Sequence, residues 1–129
     1  FEDTGGRFFR DELLRTPDML EDDQALFMDT VTGVVVILGC AHAGVVNTLR
    51  YVRELTDHRP IHAVFGGMHL RNADEARLRA TCDALAAWNV PWLGPAHCTG
   101  FRAAAKMDVE LPGRRLDCRV GSRLSFPSG

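Results

Sequence analysis

Three glycine-flanked segments of this chain carry histidine, the side chain whose neutral ring nitrogens most often bind transition metals in proteins. They are Gly39-Cys40-Ala41-His42-Ala43-Gly44, Gly66-Gly67-Met68-His69-Leu70 and Pro95-Ala96-His97-Cys98-Thr99-Gly100. Each follows an apolar run, at residues 34–38, 61–65 and 90–93, that reads as a buried strand. Side chains at the C-terminal ends of neighbouring strands converge on one rim of an α/β sheet, where such proteins place their chemistry. One histidine of this kind carries little weight. Three repeats of strand, glycine and histidine point to a metal-binding or catalytic rim.

Each residue also has a plainer reading. His42 alone would be a histidine in a strand-to-helix turn, held by a carbonyl; Gly39 and Gly44 on either side suggest a sharp bend that aims it. His97 precedes Thr99, a candidate N-cap for the next helix, and a rigid turn of that kind also suits a ligand. His69 follows two glycines and reads as lining the site more than as a ligand. His62 inside a strand and His58 beside Pro60 read as structural or surface residues. Cys40 and Cys98 adjoin candidate histidines, but alternation along the chain points them elsewhere, as small fillers. Asp22-Asp23 reads as a solvated turn, with support of the site from behind as the lesser reading.

The elements that must position these residues are legible from periodicity. Strands are expected at 25–29 and 34–38, joined by the hairpin connection Thr30-Val31-Thr32-Gly33. A helix follows with Val45, Val46, Leu49, Val52 and Leu55 on one stripe. After the strand at 61–65, Asn72 and Glu75 have capping-box spacing for a helix over 75–88. A strand near Trp92, a short helix over 101–107 and one or two strands within 115–126 complete the order. This alternation predicts an α/β unit: one mixed sheet with helices on one face.

With 129 residues, 46% hydrophobic and 25% charged, the chain is at most one ordinary globular domain. A net charge of -2 gives no electrostatic case for nucleic acid or an anionic membrane, and no apolar run is long enough to span a bilayer. The four cysteines, without a C-x-x-C pair, suggest neither a disulfide scaffold nor a zinc ribbon, and a reduced cytoplasmic setting is the default. Residues 1–24 read as a polar connecting segment, and the opening Phe1-Glu2-Asp3-Thr4-Gly5-Gly6 reads as the middle of a longer chain.

The three motifs, in this order and together with Asp22-Asp23-Gln24-Ala25-Leu26 and Val45-Val46-Asn47, resemble the C-terminal half of a metallo-β-lactamase-fold protein. The resemblance is to the dihydropterin–ribofuranosylaminobenzene 5'-phosphate synthase-like branch of metal-dependent hydrolases. It covers about residues 20–126 and implies half of an αββα sandwich over residues 25–126, with the N-terminal half absent. It also implies one or two divalent ions, zinc or else manganese or iron. By position, His42 and His97 match metal ligands, and His69 stands near the place of the superfamily's bridging aspartate. The His-x-His-x-Asp-His motif of the superfamily is absent from this chain.

The expectation is therefore part of a hydrolase acting on a phosphorylated or ester-like small molecule through metal-activated water, inactive as this fragment. His42 and His97 are the metal residues, His69 the catalytic residue, and Gly44, Gly67 and Thr99 the substrate-binding residues. The alternatives are a pterin-type condensing synthase and a non-catalytic metal-binding or assembly subunit. Since 34–38 is apolar at every position, that strand needs cover on both faces. The expected cover for the second face is the missing N-terminal half or a second copy of the chain.

Overall fold

The computed structural model describes residues 1–2 and 8–127; residues 3–7 of the expected connecting segment and residues 128–129 lie outside the described residues. Four strands, β1 (Ala25–Thr30), β2 (Gly33–Leu38), β3 (Ile61–Gly67) and β4 (Trp92–Ala96), form one sheet in the order β1-β2-β3-β4. β1 runs antiparallel to β2, and β2, β3 and β4 are mutually parallel. Helices α1 (Val45–Leu55) and α2 (Glu75–Ala87) are the two crossovers, and α3 (Phe101–Glu110) follows a 3-10 turn at His97–Thr99. The mixed α/β sheet expected from the sequence is therefore the one observed.

All three helices pack on one face. Val34, Val36 and Leu38 of β2 share a buried cluster with Val45, Val46, Leu49 and Val52 of α1, Leu78 and Leu85 of α2 and Met107 of α3. Leu55, at the end of the apolar stripe, falls in the last turn of α1 and is exposed. Val35, Ala63 and Phe65 point to the opposite face, where Leu116, Cys118 and Phe126 of the C-terminal tail cover them. That tail forms no strand of its own. It touches the sheet through one isolated bridge, Leu93 to Arg115, and otherwise contributes side chains. Past its reach, Leu26, Met28 and Ile37 remain exposed on the same face.

Two caps differ from expectation. The α2 N-cap is Asp74, whose Oδ1 accepts the Arg77 N–H at 2.8 Å; Asn72 lies two residues too early, because the helix begins at Glu75. Gly100, at φ 78°, occupies the N-cap of α3 in place of Thr99, whose hydroxyl turns inward. The left-handed φ suits glycine, which has no Cβ to oppose it.

Candidate metal centre

The three motif loops leave the C-terminal ends of β2, β3 and β4, and each bends through a left-handed residue. Ala41 (φ 53°), His69 (φ 49°) and His97 (φ 48°) adopt a conformation that costs a non-glycine residue about 1–2 kcal/mol. Such strain concentrates at functional loops, held there by surrounding contacts. The contacts are on hand. A Cβ on Gly67 would lie 2.6 Å from the Gly39 carbonyl oxygen and 2.7 Å from Cys98 Sγ, so the β2 and β4 ends close over a residue that must be small. Thr99, 1% exposed, accepts the Met68 N–H at 3.1 Å and ties the third loop to the second.

His42 and His69 meet edge to face, with ring centroids 4.6 Å apart and planes at 88°. Phe8 lies against both, at 5.3 Å and 6.2 Å. Asp23 Oδ1 is 3.9 Å from His42 Nδ1, while its Oδ2 accepts the Ala43 N–H at 2.9 Å. Burial pushes the His69 imidazole below the ordinary histidine range; His42 and Arg77 push the same way and Asp23 opposes them. His69 is thus disposed to be neutral, with a ring nitrogen free to accept.

His97 has different company. Its Nδ1 is 3.4 Å from Cys40 Sγ, and the donor atoms of Cys40, His97 and Cys98 all lie within 4.8 Å of one another. Cys98 Sγ accepts the His69 N–H at 3.3 Å and donates to the Cys40 carbonyl at 3.4 Å. The expectation that the two thiols point away from the histidines is corrected here. Alternation assumes extended backbone, and the left-handed Ala41 and His97 break it beside each cysteine.

His42, His69, His97 and Cys98 line one open cleft of about 1160 Å³, together with Phe8, Arg71, Asp74 and Arg77. The residues expected to touch substrate sit elsewhere. Gly67 and Thr99 are buried in the packing of the loops, and Gly44 is closed off by the Glu2 carboxylate, which accepts the Asn47 N–H at 2.7 Å. Asp23, read from sequence as a solvated turn, has a side chain only 11% exposed. His69 Nδ1 is buried with no hydrogen-bond partner among the described residues. An orphaned ring nitrogen, neighbouring imidazoles and two thiols make a donor set that fits a transition metal.

No family model matches the chain. It is 35% identical over 86 residues to the 7,8-dihydropterin-6-methyl-4-(β-D-ribofuranosyl)-aminobenzene-5'-phosphate synthase of Methanocaldococcus jannaschii, spanning 67% of this chain and 29% of that protein. An uncharacterized protein of the same organism is 32% identical over 93 residues, 72% of this chain and 33% of its own length. A crystal structure of a metal-dependent hydrolase of the β-lactamase superfamily superimposes with a TM-score of 0.81 at 35% identity. This chain shares the fold of part of that β-lactamase-superfamily hydrolase, and about a third of the aligned residues. The superposition covers 87% of the chain and 43% of the hydrolase. The chain thus spans about a third of the curated relatives it matches and under half of the solved superfamily member.

Proposed function

We propose that this chain forms the histidine rim of a metal-dependent hydrolase acting on a phosphorylated or ester-like small molecule. The observation that carries the reading is the meeting of His42, His69 and His97 on one cleft that also holds Arg71 and Arg77. His42 and His97 would hold a divalent ion, zinc or else manganese or iron, which would supply Lewis-acid activation of water and of a phosphoryl or carbonyl oxygen. Asp23 braces the backbone beside His42 through the Ala43 N–H. His69, neutral and beside His42, accepts a proton within the cleft. Arg71 gives the cleft a positive charge suited to a phosphate, while Arg77 beside it faces the buried Glu2 carboxylate at 3.9 Å. The remaining ligands come from protein outside this chain, since the sequence holds no His-x-His-x-Asp-His motif.

The test is metal analysis and turnover of phosphodiester and lactone substrates by the complete protein. Stoichiometric metal and turnover, both lost in His42→Ala and His97→Ala, are expected. Undiminished metal and turnover in both variants would overturn the reading. The synthase relative favours a second reading, pterin-type condensation on the same rim; it requires turnover of a pterin substrate and none of the hydrolytic ones. Metal bound without turnover of any substrate would leave a metal-binding or assembly module.

A further inference from the structure

We infer that Cys40 is the positioning residue of His97: its sulfur engages Nδ1 of that imidazole and leaves Nε2 as the nitrogen offered to the metal. The inference rests on the hydrolase reading, in which His97 is a ligand. Cys40 Sγ lies 3.4 Å from His97 Nδ1. A neutral imidazole carries its proton on one ring nitrogen and a lone pair on the other, so a hydrogen bond at one nitrogen settles which is free for a metal. With the proton on Nδ1, the ring donates to Cys40 Sγ and Nε2 keeps its lone pair. With the proton on Nε2, the thiol donates to Nδ1 and neither nitrogen is open. The first arrangement is the one that serves a metal, and ligating histidines are generally held in this way through the other ring nitrogen.

His97 needs such a partner more than its neighbours do. His42 packs edge to face against His69 and stands beside Asp23. His97 is exposed at the head of the 3-10 turn. An exposed side chain loses rotamer freedom when it binds an ion. A contact that fixes the ring beforehand removes that cost from the binding step.

The sulfur is held where it can do this. Cys40 follows Gly39, whose carbonyl accepts the Gly67 N–H at 3.1 Å, and precedes Ala41, whose left-handed φ turns the chain. Cys98 Sγ donates to the Cys40 carbonyl at 3.4 Å. Gly67 supplies the room, since a Cβ there would lie 3.1 Å from Cys40 Cα. The contact thus joins the loop after β2 to the loop after β4 across the end of β3, between residues 57 positions apart. The plainer reading, a small filler, fits Cys82, which is 3% exposed in the apolar core. Cys40 is partly exposed, and its sulfur faces a ring nitrogen.

The test is two-bond nitrogen–proton correlation NMR of the imidazoles in the zinc-loaded complete protein, paired with zinc affinity from competition with a chelating indicator. Expected are His97 with its proton on Nδ1 and zinc on Nε2, and an affinity about 10–100-fold lower in Cys40→Ala. Cys40→Ser should recover part of the loss, because its oxygen still accepts but reaches less far from Cβ than sulfur. Zinc on His97 Nδ1, or Cys40→Ala binding zinc as tightly as wild type, would overturn the inference; loss of zinc in His42→Ala and His97→Ala would then leave the hydrolase reading standing. Undiminished zinc in both histidine variants would end that reading, and this inference with it. A sulfur-to-cobalt charge-transfer band in the Co²⁺-loaded protein, lost in Cys40→Ser, would make Cys40 a ligand and overturn its positioning role. Should Cys40→Ala fail to fold, the wild-type NMR pattern decides the matter alone.

Discussion

Asp23 braces the His42 loop: its Oδ2 accepts the N–H of the next residue, Ala43, at 2.9 Å, and its Oδ1 stands 3.9 Å from the His42 ring Nδ1. The carboxylate thereby fixes the backbone next to His42 and stands beside its ring without a hydrogen bond to it. Partners of this kind orient a ligand, and their loss typically lowers metal affinity about 10–100-fold. Asp23→Ala is therefore expected to weaken zinc binding within that range, with Asp23→Asn intermediate because its amide oxygen still accepts the Ala43 N–H. Competition titration with a chelating indicator measures this. Equal affinity in wild type and Asp23→Ala would show that the carboxylate does not govern His42.

Asp23 also marks where sequence reading stopped. The order of strands and helices followed from periodicity, and the three histidine loops from their glycines, because local pattern dictates both. Asp23 drew only the lesser reading, support of the site from behind, because its hydrogen-bond partner lies 20 residues away in the sequence. The thiols were misdirected because the left-handed φ at Ala41 and His97 cannot be read from residue types that usually avoid it. The tail at 115–126 has strand-like composition, yet its apolar side chains serve as a cover over Phe65 and Val35 without a ladder.

Thr99 is a structural clamp between two site loops, and its substitution should read as stability before activity. Its buried hydroxyl accepts the Met68 N–H at 3.1 Å and donates to the Gly66 carbonyl at 3.4 Å. Thr99→Val keeps the shape and orphans the Met68 N–H, at a cost of about 1–3 kcal/mol. Thr99→Ser should recover most of that loss. Urea unfolding midpoints of the three proteins give the comparison, and a Thr99→Val midpoint equal to wild type would refute the clamp.

Two glycines separate crowding from backbone strain. At Gly67 a methyl group would strike the Gly39 carbonyl oxygen and Cys98 Sγ, whereas at Gly113 (φ 76°) nothing lies within 4 Å. Gly113→Ala should cost only the left-handed backbone penalty of about 1–2 kcal/mol. Gly67→Ala should cost about 1–3 kcal/mol through overpacking, and it alone should displace Cys98. Alkylation of Cys98 is the discriminating measurement: faster in Gly67→Ala, unchanged in Gly113→Ala. The same rate in both would mean that the loops accommodate the methyl group without moving.

The outer face of the sheet yields a prediction about association. The tail covers Val35, Ala63 and Phe65, but Leu26 (68% exposed), Met28 (45%) and Ile37 (40%) stand beyond it on neighbouring strands. Register places Leu26 opposite Ile37 and Met28 opposite the buried Val35, so the three form one patch continuous with covered core. Full burial of such a side chain contributes about 1.5–3 kcal/mol, and completing the burial of three amounts to a few kcal/mol. That is less than an entirely bare sheet face would demand, because the tail has taken part of the load, yet it is enough to favour a contact. The isolated chain is expected to self-associate through this patch at micromolar concentration, most simply with two-fold symmetry. The Met28→Lys/Ile37→Lys double variant should be monomeric, with its urea midpoint little changed, since both positions already meet water. Sedimentation velocity of the two proteins decides it: a wild-type chain that is monomeric and well folded at high micromolar concentration would show that the patch has no affinity for its own copy.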